Sequence, residues 1–405
     1  MVTSKRIESL DVLRGAALML IILFHSSIYN YANINKIDFS NPPLLIVLMS
    51  FMALWGGIFI IYSMVANTIL ILKRKETLPK TKIFAYSLIA GVYYIFLHYI
   101  LNIFLGRWNN DFINNQPDMT AVASSLRNLE FTLPHLNKFF EGSSLSAIAF
   151  NLLIVSGVLY LLLRNNGIAK EKRNYYILGT LGTLIILFSF IRVSIFPFFT
   201  QAVETGNYLA ATFYSFTIAN PYPLLPYLAY GFFGTMIGMM FYFERSKLLK
   251  FIITPLGVVF LVYGLIGMMN FEKTISTPDY FWYFKTNFEL GVFILLLIFT
   301  IIVLEPRAKL LNKLSVFKWF SRVSLTIYML ETTVSELFRI IYLVLVPSWN
   351  QTINGCLIFG ALNILLWILI LFFWRKVNFK YSLEYYWVRL FNKMGKTSTK
   401  MDFNL

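Results

Sequence analysis

Two residues in the first apolar stretch carry side chains able to do chemistry, Arg14 and His25. They stand eleven positions apart, which at about 100° per residue is about 20° beyond three full helical turns. Both therefore lie on one helix face, separated by about 16 Å along the axis. Arg14 belongs at the cytoplasmic mouth and His25 just beyond the middle of the helix. Asp11, one turn before Arg14, can fix the guanidinium. A cation at the inner surface and a titratable base at depth are what an enzyme needs to move an acyl group from a cytoplasmic donor to an outer acceptor. The plainer alternative is that Arg14 snorkels and His25 is a hydrogen-bonded packing residue.

A second set lies near the other end of the chain. Ser324, Tyr328, Glu331 and Ser335 share one helical stripe, with Arg339 at its edge. Glu331, near the centre of that stretch, can orient or charge-stabilise an imidazole. The alternative is a structural ion pair of Glu336 with Arg339, leaving Glu331 protonated and hydrogen-bonded. His98, toward the outer side of its stretch, reads first as a satisfied core histidine. Arg192 is expected to snorkel. Asn67 can hydrogen-bond across helices. His135 falls in a loop, where solvation is the default. Three scattered histidines without ligand spacing make no metal site.

These residues need elements to hold them, and the composition says which. The 405 residues are 58% hydrophobic and 13% charged, whereas soluble domains are about a quarter charged. Apolar runs of roughly 20 residues fall at 12–32, 44–72, 82–105, 143–163, 175–199, 221–243, 250–270, 287–305, 317–346 and 353–374. Cationic connections alternate with cation-poor ones. Lys73, Arg74 and Lys75 follow the second stretch, Lys170, Lys172 and Arg173 the fourth, Lys247 and Lys250 the sixth, and Lys309 and Lys313 the eighth. The expectation is an all-α, polytopic bundle of ten transmembrane helices with both termini cytoplasmic. The alternation also accounts for the net charge of +16 without a nucleic-acid partner. The first stretch reads as a signal anchor, because Asp11 and Arg14 interrupt it and no small-residue cleavage site follows.

Residues 106–142 and 200–220 are long outer connections, the first suited to short interfacial helices over the outer mouth. The prolines of Pro221–Tyr227 suggest a broken start to the sixth span, and Gly231, Gly234 and Gly238 permit close helix contact. Gly56-Gly57 inside the long second span suggests tilt or a kink. Residues 381–405 form a basic cytoplasmic tail with a short amphipathic helix from Tyr381 to Asn392. The single cysteine, Cys356, allows no intrachain disulfide and no cysteine metal site. Phosphate-binding, dinucleotide and serine-hydrolase signatures are absent.

The run Arg6-Ile-Glu-Ser-Leu-Asp-Val-Leu-Arg-Gly15 followed by His25 resembles the start of the transmembrane acyltransferase superfamily. That group includes acyltransferase family 3, heparan-α-glucosaminide N-acetyltransferases and YeiB-like membrane proteins. Its first helix carries Arg, ten residues, then His, as do Arg14 and His25. Pro223-Leu-Leu-Pro-Tyr227 with Gly231 to Gly238 is similar to a mid-chain segment of the heparan-type and YeiB-like branches. Ser321-Arg-Val-Ser-Leu-Thr-Ile-Tyr328 resembles a YeiB-like Gly-Arg-x-x-Leu-Thr-x-Tyr segment, with Ser321 in place of Gly. Leu383-Glu384 resembles the YeiB-like Gly-Pro-Leu-Glu-Trp segment, with its Gly, Pro and Trp replaced. Family 3 members often carry Arg-x-x-Arg near the third helix, and this chain has none. Arg74 and Lys75 can meet a coenzyme A phosphate instead, although topology explains them equally well.

The resemblance implies a transmembrane acyltransferase domain over residues 1–380. In it, acyl-CoA, acetyl-CoA foremost, docks near Arg14, Asp11, Arg74 and Lys75, with no metal. His25 would be the general base supported by Glu331. The acceptor would be a hydroxyl or amine of an outer-facing glycan or lipid-linked sugar, near His98, Asn67, Tyr328 and Arg339. The rival reading is a transporter or flippase for a small polar or lipid-linked substrate. A further rival is a non-catalytic scaffold, less economical because each buried His, Arg or Glu costs insertion energy.

Overall fold

The computed structural model describes residues 7–37, 43–46, 55–75, 79–106, 109–111, 116–118, 120–134, 136–219, 222–271 and 278–395. In chain order its principal helices begin with α1 (Glu8–Ile28), α2 (Gly56–Arg74), α3 (Lys80–Ile100), α4 (Ala121–Asn128) and α5 (Ser144–Leu162). They continue with α6 (Glu171–Phe188), α7 (Ile191–Glu204), α8 (Tyr208–Thr217), α9 (Leu224–Tyr242) and α10 (Thr254–Asn270). The last are α11 (Tyr280–Phe299), α12 (Ser315–Arg322), α13 (Ser324–Leu345), α14 (Ile353–Trp374) and α15 (Leu383–Gly395). One hairpin pairs Asn109–Asp111 with Gln116–Asp118.

Among the described residues, eight helices are long and apolar enough to cross a bilayer, nine if α6 and α7 count as one bent span. The chain is thus an all-α multi-pass membrane protein. Of the ten expected stretches, the one at 317–346 is broken: α12 ends at Arg322 and α13 starts at Ser324. α13 has 22 residues, ample length for a crossing. Glu331, Glu336 and Arg339 make it too charged to pass on composition. The stretch expected at 175–199 bends by 63° between α6 and α7. Residues 200–220, expected as a loop, are largely helical in α7 and α8. Of the second stretch, 47–54 lie outside the described residues; α2 starts at Gly56, so its glycines stand at a helix start.

The helices group into two compact units. The first is built from Gly56–Ile100 and Leu136–Pro306. There α9 is packed tightly on α2: a Cβ on Gly234 would fall 2.5 Å from the Ile61 carbonyl oxygen and one on Gly238 2.9 Å from that of Val65. Asn67 bridges α2 and α5 by donating to Ser156 Oγ at 3.0 Å. Leu225 is non-helical, which breaks the start of α9 as its prolines imply.

The second unit joins Ile7–Trp55, Leu101–His135 and Arg307–Leu405. α1 is its centre and packs on α12, α13 and α14. Gly15 lets α1 approach α12, since a Cβ there would lie 1.9 Å from the Phe317 carbonyl oxygen. Lys318 donates to Glu8 at 2.5 Å across the same contact. α15 is the amphipathic tail helix expected from sequence, and its Glu384 caps α13. That carboxylate accepts from Leu325 N at 2.6 Å and from Thr326 Oγ1 at 2.6 Å. A carboxylate suits a helix N-terminus, whose first N–H groups lack intrahelical partners. Burial pushes the Glu384 carboxyl above its usual range, while the hydrogen bonds from Thr326 and the backbone pull it back.

Candidate active site

Arg14 lies near the start of α1 and His25 near its end, and each meets a different partner within the second unit. Arg14 is held on two sides. Its Nε donates to Ser321 Oγ at 2.8 Å and its Nη2 to the Ser321 carbonyl at 2.7 Å. Nη2 also reaches Asp11 at 3.4 Å, and Ser321 Oγ donates to the same carboxylate at 2.8 Å. Asp11 therefore fixes the guanidinium as its spacing implies, with help from a serine. The Ser321 that departs from the resembling Gly-Arg segment is the main partner of Arg14. The Arg14 side chain is 33% exposed, and Nη1 makes no hydrogen bond to a described residue, so donor capacity remains at this end.

At the far end of α1, His25 Nδ1 hydrogen-bonds Glu331 Oε1 of α13. Glu331 is buried and His25 nearly so. The rings of Phe24 and Tyr29 lie 5.9 and 5.7 Å from the imidazole. The pair opens on a small cavity of about 20 Å³ whose other walls include Asn30, Arg127, Thr332, Ser335 and Glu336. Nearly every wall residue is polar, and the cavity lies at the end of α1, with His25 in its last turn rather than near its middle and Asn30 just past it.

Arg127 comes from α4, in the connection expected to hold short interfacial helices. It donates through Nη1 to Glu336 at 2.8 Å and to Asn30. Arg339 donates to the other oxygen of Glu336 at 2.6 Å and to the Arg127 carbonyl at 3.0 Å. One carboxylate thus bridges two guanidinium groups from two elements. Burial lowers the Arg127 pKa, opposed by Glu336 and reinforced by Arg339. The expected Glu336–Arg339 ion pair forms, yet Glu331 is not left alone, because His25 takes it. Of the two carboxylates lining the cavity among the described residues, Glu336 meets the guanidinium groups and Glu331 meets His25.

The remaining expected residues fall elsewhere. Tyr328 is on α13 but does not line the cavity. Arg74 and Lys75 belong to the first unit, where Arg74 stacks on Tyr86 at 5.6 Å and Lys75 edges an apolar cleft with Ile83 and Tyr160. Asn67 and His98 belong there too. His98 is fully buried, hydrogen-bonded to Ser143 at 2.8 Å and enclosed by Tyr99 and Phe216, as a core histidine would be. His135 lies outside the described residues. Arg192 corrects its expectation. It is 1% exposed and does not snorkel: it donates to the carbonyls of Ile218 and Ala219 past the end of α8 and stacks on Trp282 at 3.5 Å. The C-terminal carbonyls of a helix accept such a cation well.

Sequence reasoning missed two groups. Arg127 sits in a mixed polar stretch with nothing to distinguish it from a solvated arginine. Glu289 is a carboxylate inside an apolar run, a signal the sequence does carry. It is buried on α11, pairs with Lys285 at 3.3 Å and accepts from Tyr227. No group of three or more metal-ligating side chains occurs among the described residues. Comparison with protein-family models gives no match, and comparison with curated proteins gives none.

Proposed function

We propose that this chain is a membrane-embedded acyltransferase. It would take an acyl group, acetyl foremost, from cytoplasmic acyl-CoA and pass it to a hydroxyl or amine of an outer-facing glycan or lipid-linked sugar. In this reading α13 is the ninth of ten spans and both termini are cytoplasmic, in a cell membrane, as the alternation of basic connections supports.

The observation that carries the reading is the His25–Glu331 hydrogen bond in a polar cavity, on the same helix as an anchored Arg14 about 16 Å away. With the proton on Nδ1 held by Glu331, Nε2 takes the proton of the acceptor hydroxyl or amine. The acceptor atom attacks the thioester carbonyl, the carbon–sulfur bond breaks, and the coenzyme thiolate recovers the proton from the imidazolium. Glu331 stabilises that imidazolium between the two transfers. Arg14 contributes charge-assisted contacts to a donor phosphate.

A transporter would draw support from the buried Glu289, paired with a half-buried Lys285, and from the non-helical Leu225. A carboxylate-oriented histidine can also relay protons in a transporter; its place on one helix with an anchored Arg14 that retains donor capacity is what favours the enzyme. The test is thiol release from acyl-CoA by purified protein with a panel of glycan acceptors, comparing wild type with His25→Ala. No measurable binding of a non-hydrolysable acyl-CoA to the wild type would remove the proposal and favour transport.

A further inference from the structure

The segment after α4 has an inverted pattern. Leu129 takes a left-handed conformation (φ 57°) at the end of α4, and residues 130–134 then run without regular structure. Thr132 turns back onto the helix: its N–H donates to Ser125 Oγ at 2.9 Å, and the two hydroxyls lie 3.2 Å apart. The polar side chain thus faces the protein. Its neighbours face away, and they are apolar: Leu129, Phe131 and Leu133 are 75%, 82% and 70% exposed. In water this arrangement would be unfavourable, since full burial of one such side chain is worth about 1.5–3 kcal/mol.

The level of the segment in the fold gives the reason. Thr120, just before α4, donates to the carbonyl of Gly106 at 3.1 Å. Gly106 directly follows the span Thr81–Leu105, whose last turn also exposes Phe104 at 48%. α4 therefore starts where a membrane-crossing helix stops. That is the depth at which a large apolar side chain next to a backbone turn is stable, between headgroups and acyl chains.

We infer that Leu129, Phe131 and Leu133 form an interfacial lipid anchor, at the level set by Arg127, which lies near the end of α4 and donates to Asn30, two residues past the end of α1. The partner is the acyl-chain boundary of the leaflet, and the anchor fixes the helix that presents Arg127 to Glu336. The inference stands on the fold alone and is independent of the acyltransferase reading.

Site-directed spin labelling tests it in the full chain. Cys356 is buried and is replaced by Ala to remove background. Spin labels at Phe131→Cys and at Asn166→Cys, an exposed turn, are compared in lipid nanodiscs by their collision rates with oxygen and with a water-soluble nickel chelate. The anchor requires oxygen to exceed nickel at position 131 and nickel to exceed oxygen at 166. Nickel exceeding oxygen at 131 would mean a solvated loop. Low rates for both would mean coverage by protein, such as a second copy. Either overturns the inference. Leu133→Cys carries the same expectation should the Phe131 variant fail to fold.

Discussion

His25 Nδ1 and Glu331 Oε1 are hydrogen-bonded although 306 positions separate them in the chain. One comes from the first helix and the other from the most polar one, so the contact is a product of tertiary structure alone. Its chemistry can be separated from its contribution to stability.

Glu331→Gln keeps the shape and one acceptor but removes the charge that would stabilise an imidazolium. If the proposed chemistry holds, kcat should fall by about 10²–10⁴-fold, the range typical of general-base function. The melting temperature and the KM for acyl-CoA should stay close to wild type. Steady-state kinetics with a thermal melt decide it: a large loss of stability with specific activity intact would make Glu331 structural.

Arg14 and His25 should fail differently. Arg14→Ala removes ground-state contacts to the donor and should raise the KM for acyl-CoA. It also strips Ser321 and Asp11 of their shared partner, so a stability loss of about 1–3 kcal/mol should accompany it. His25→Ala should leave donor affinity unchanged and lower kcat. Isothermal titration of both variants with a non-hydrolysable acyl-CoA separates them; equal affinity in the two would contradict the assigned roles.

Glu384 offers a test with a pH sign. Burial raises its folded-state pKa above the ordinary 4.5, so the fold favours the protonated carboxyl. Its contribution to stability is full below about pH 4.5 and declines as pH rises through the folded value. Wild type should therefore gain on Glu384→Gln as the buffer is acidified through the folded value toward pH 4.5. Glu384→Ala should lose about 0.5–2 kcal/mol relative to Gln, as a lost helix cap does. Melting curves across pH provide the readout, and a difference between wild type and Gln that is flat with pH would refute the cap's raised pKa.

Orientation can be fixed by labelling. Both Asn166 and Gln351 are exposed turn positions between helices. With cytoplasmic termini, Asn166→Cys should be shielded from an impermeant thiol reagent in intact cells, and Gln351→Cys should react. Reaction at 166 would place an odd number of crossings before it.

The sequence told much about what crosses the membrane and little about what meets inside it. Spans such as Ser144–Leu162 were legible because a twenty-residue apolar run has few other uses. The shared face of Arg14 and His25 was legible because helical phase follows from spacing. α13 was legible as polar, but its break from α12 at Val323 was not, since that boundary depends on a cap supplied by Glu384, far along the chain. The bend after Phe188 and the burial of Arg192 share that character: the carbonyls of Ile218 and Ala219 and the ring of Trp282 make the site an arginine can fill. Arg127 was invisible because nothing local distinguishes it, and its partner Glu336 lies on another element.

The distance in sequence between His25 and Glu331 also sets a timetable. At about 5–20 residues per second of synthesis, roughly 15–60 s separate the emergence of the first helix from that of its partner. Throughout that interval the first helix has an imidazole whose carboxylate does not yet exist. The first unit, whose last segment ends at Pro306, is fully synthesised before α13 begins. Nascent chains halted before Glu331 would therefore contain every residue of that unit but not the carboxylate that His25 meets.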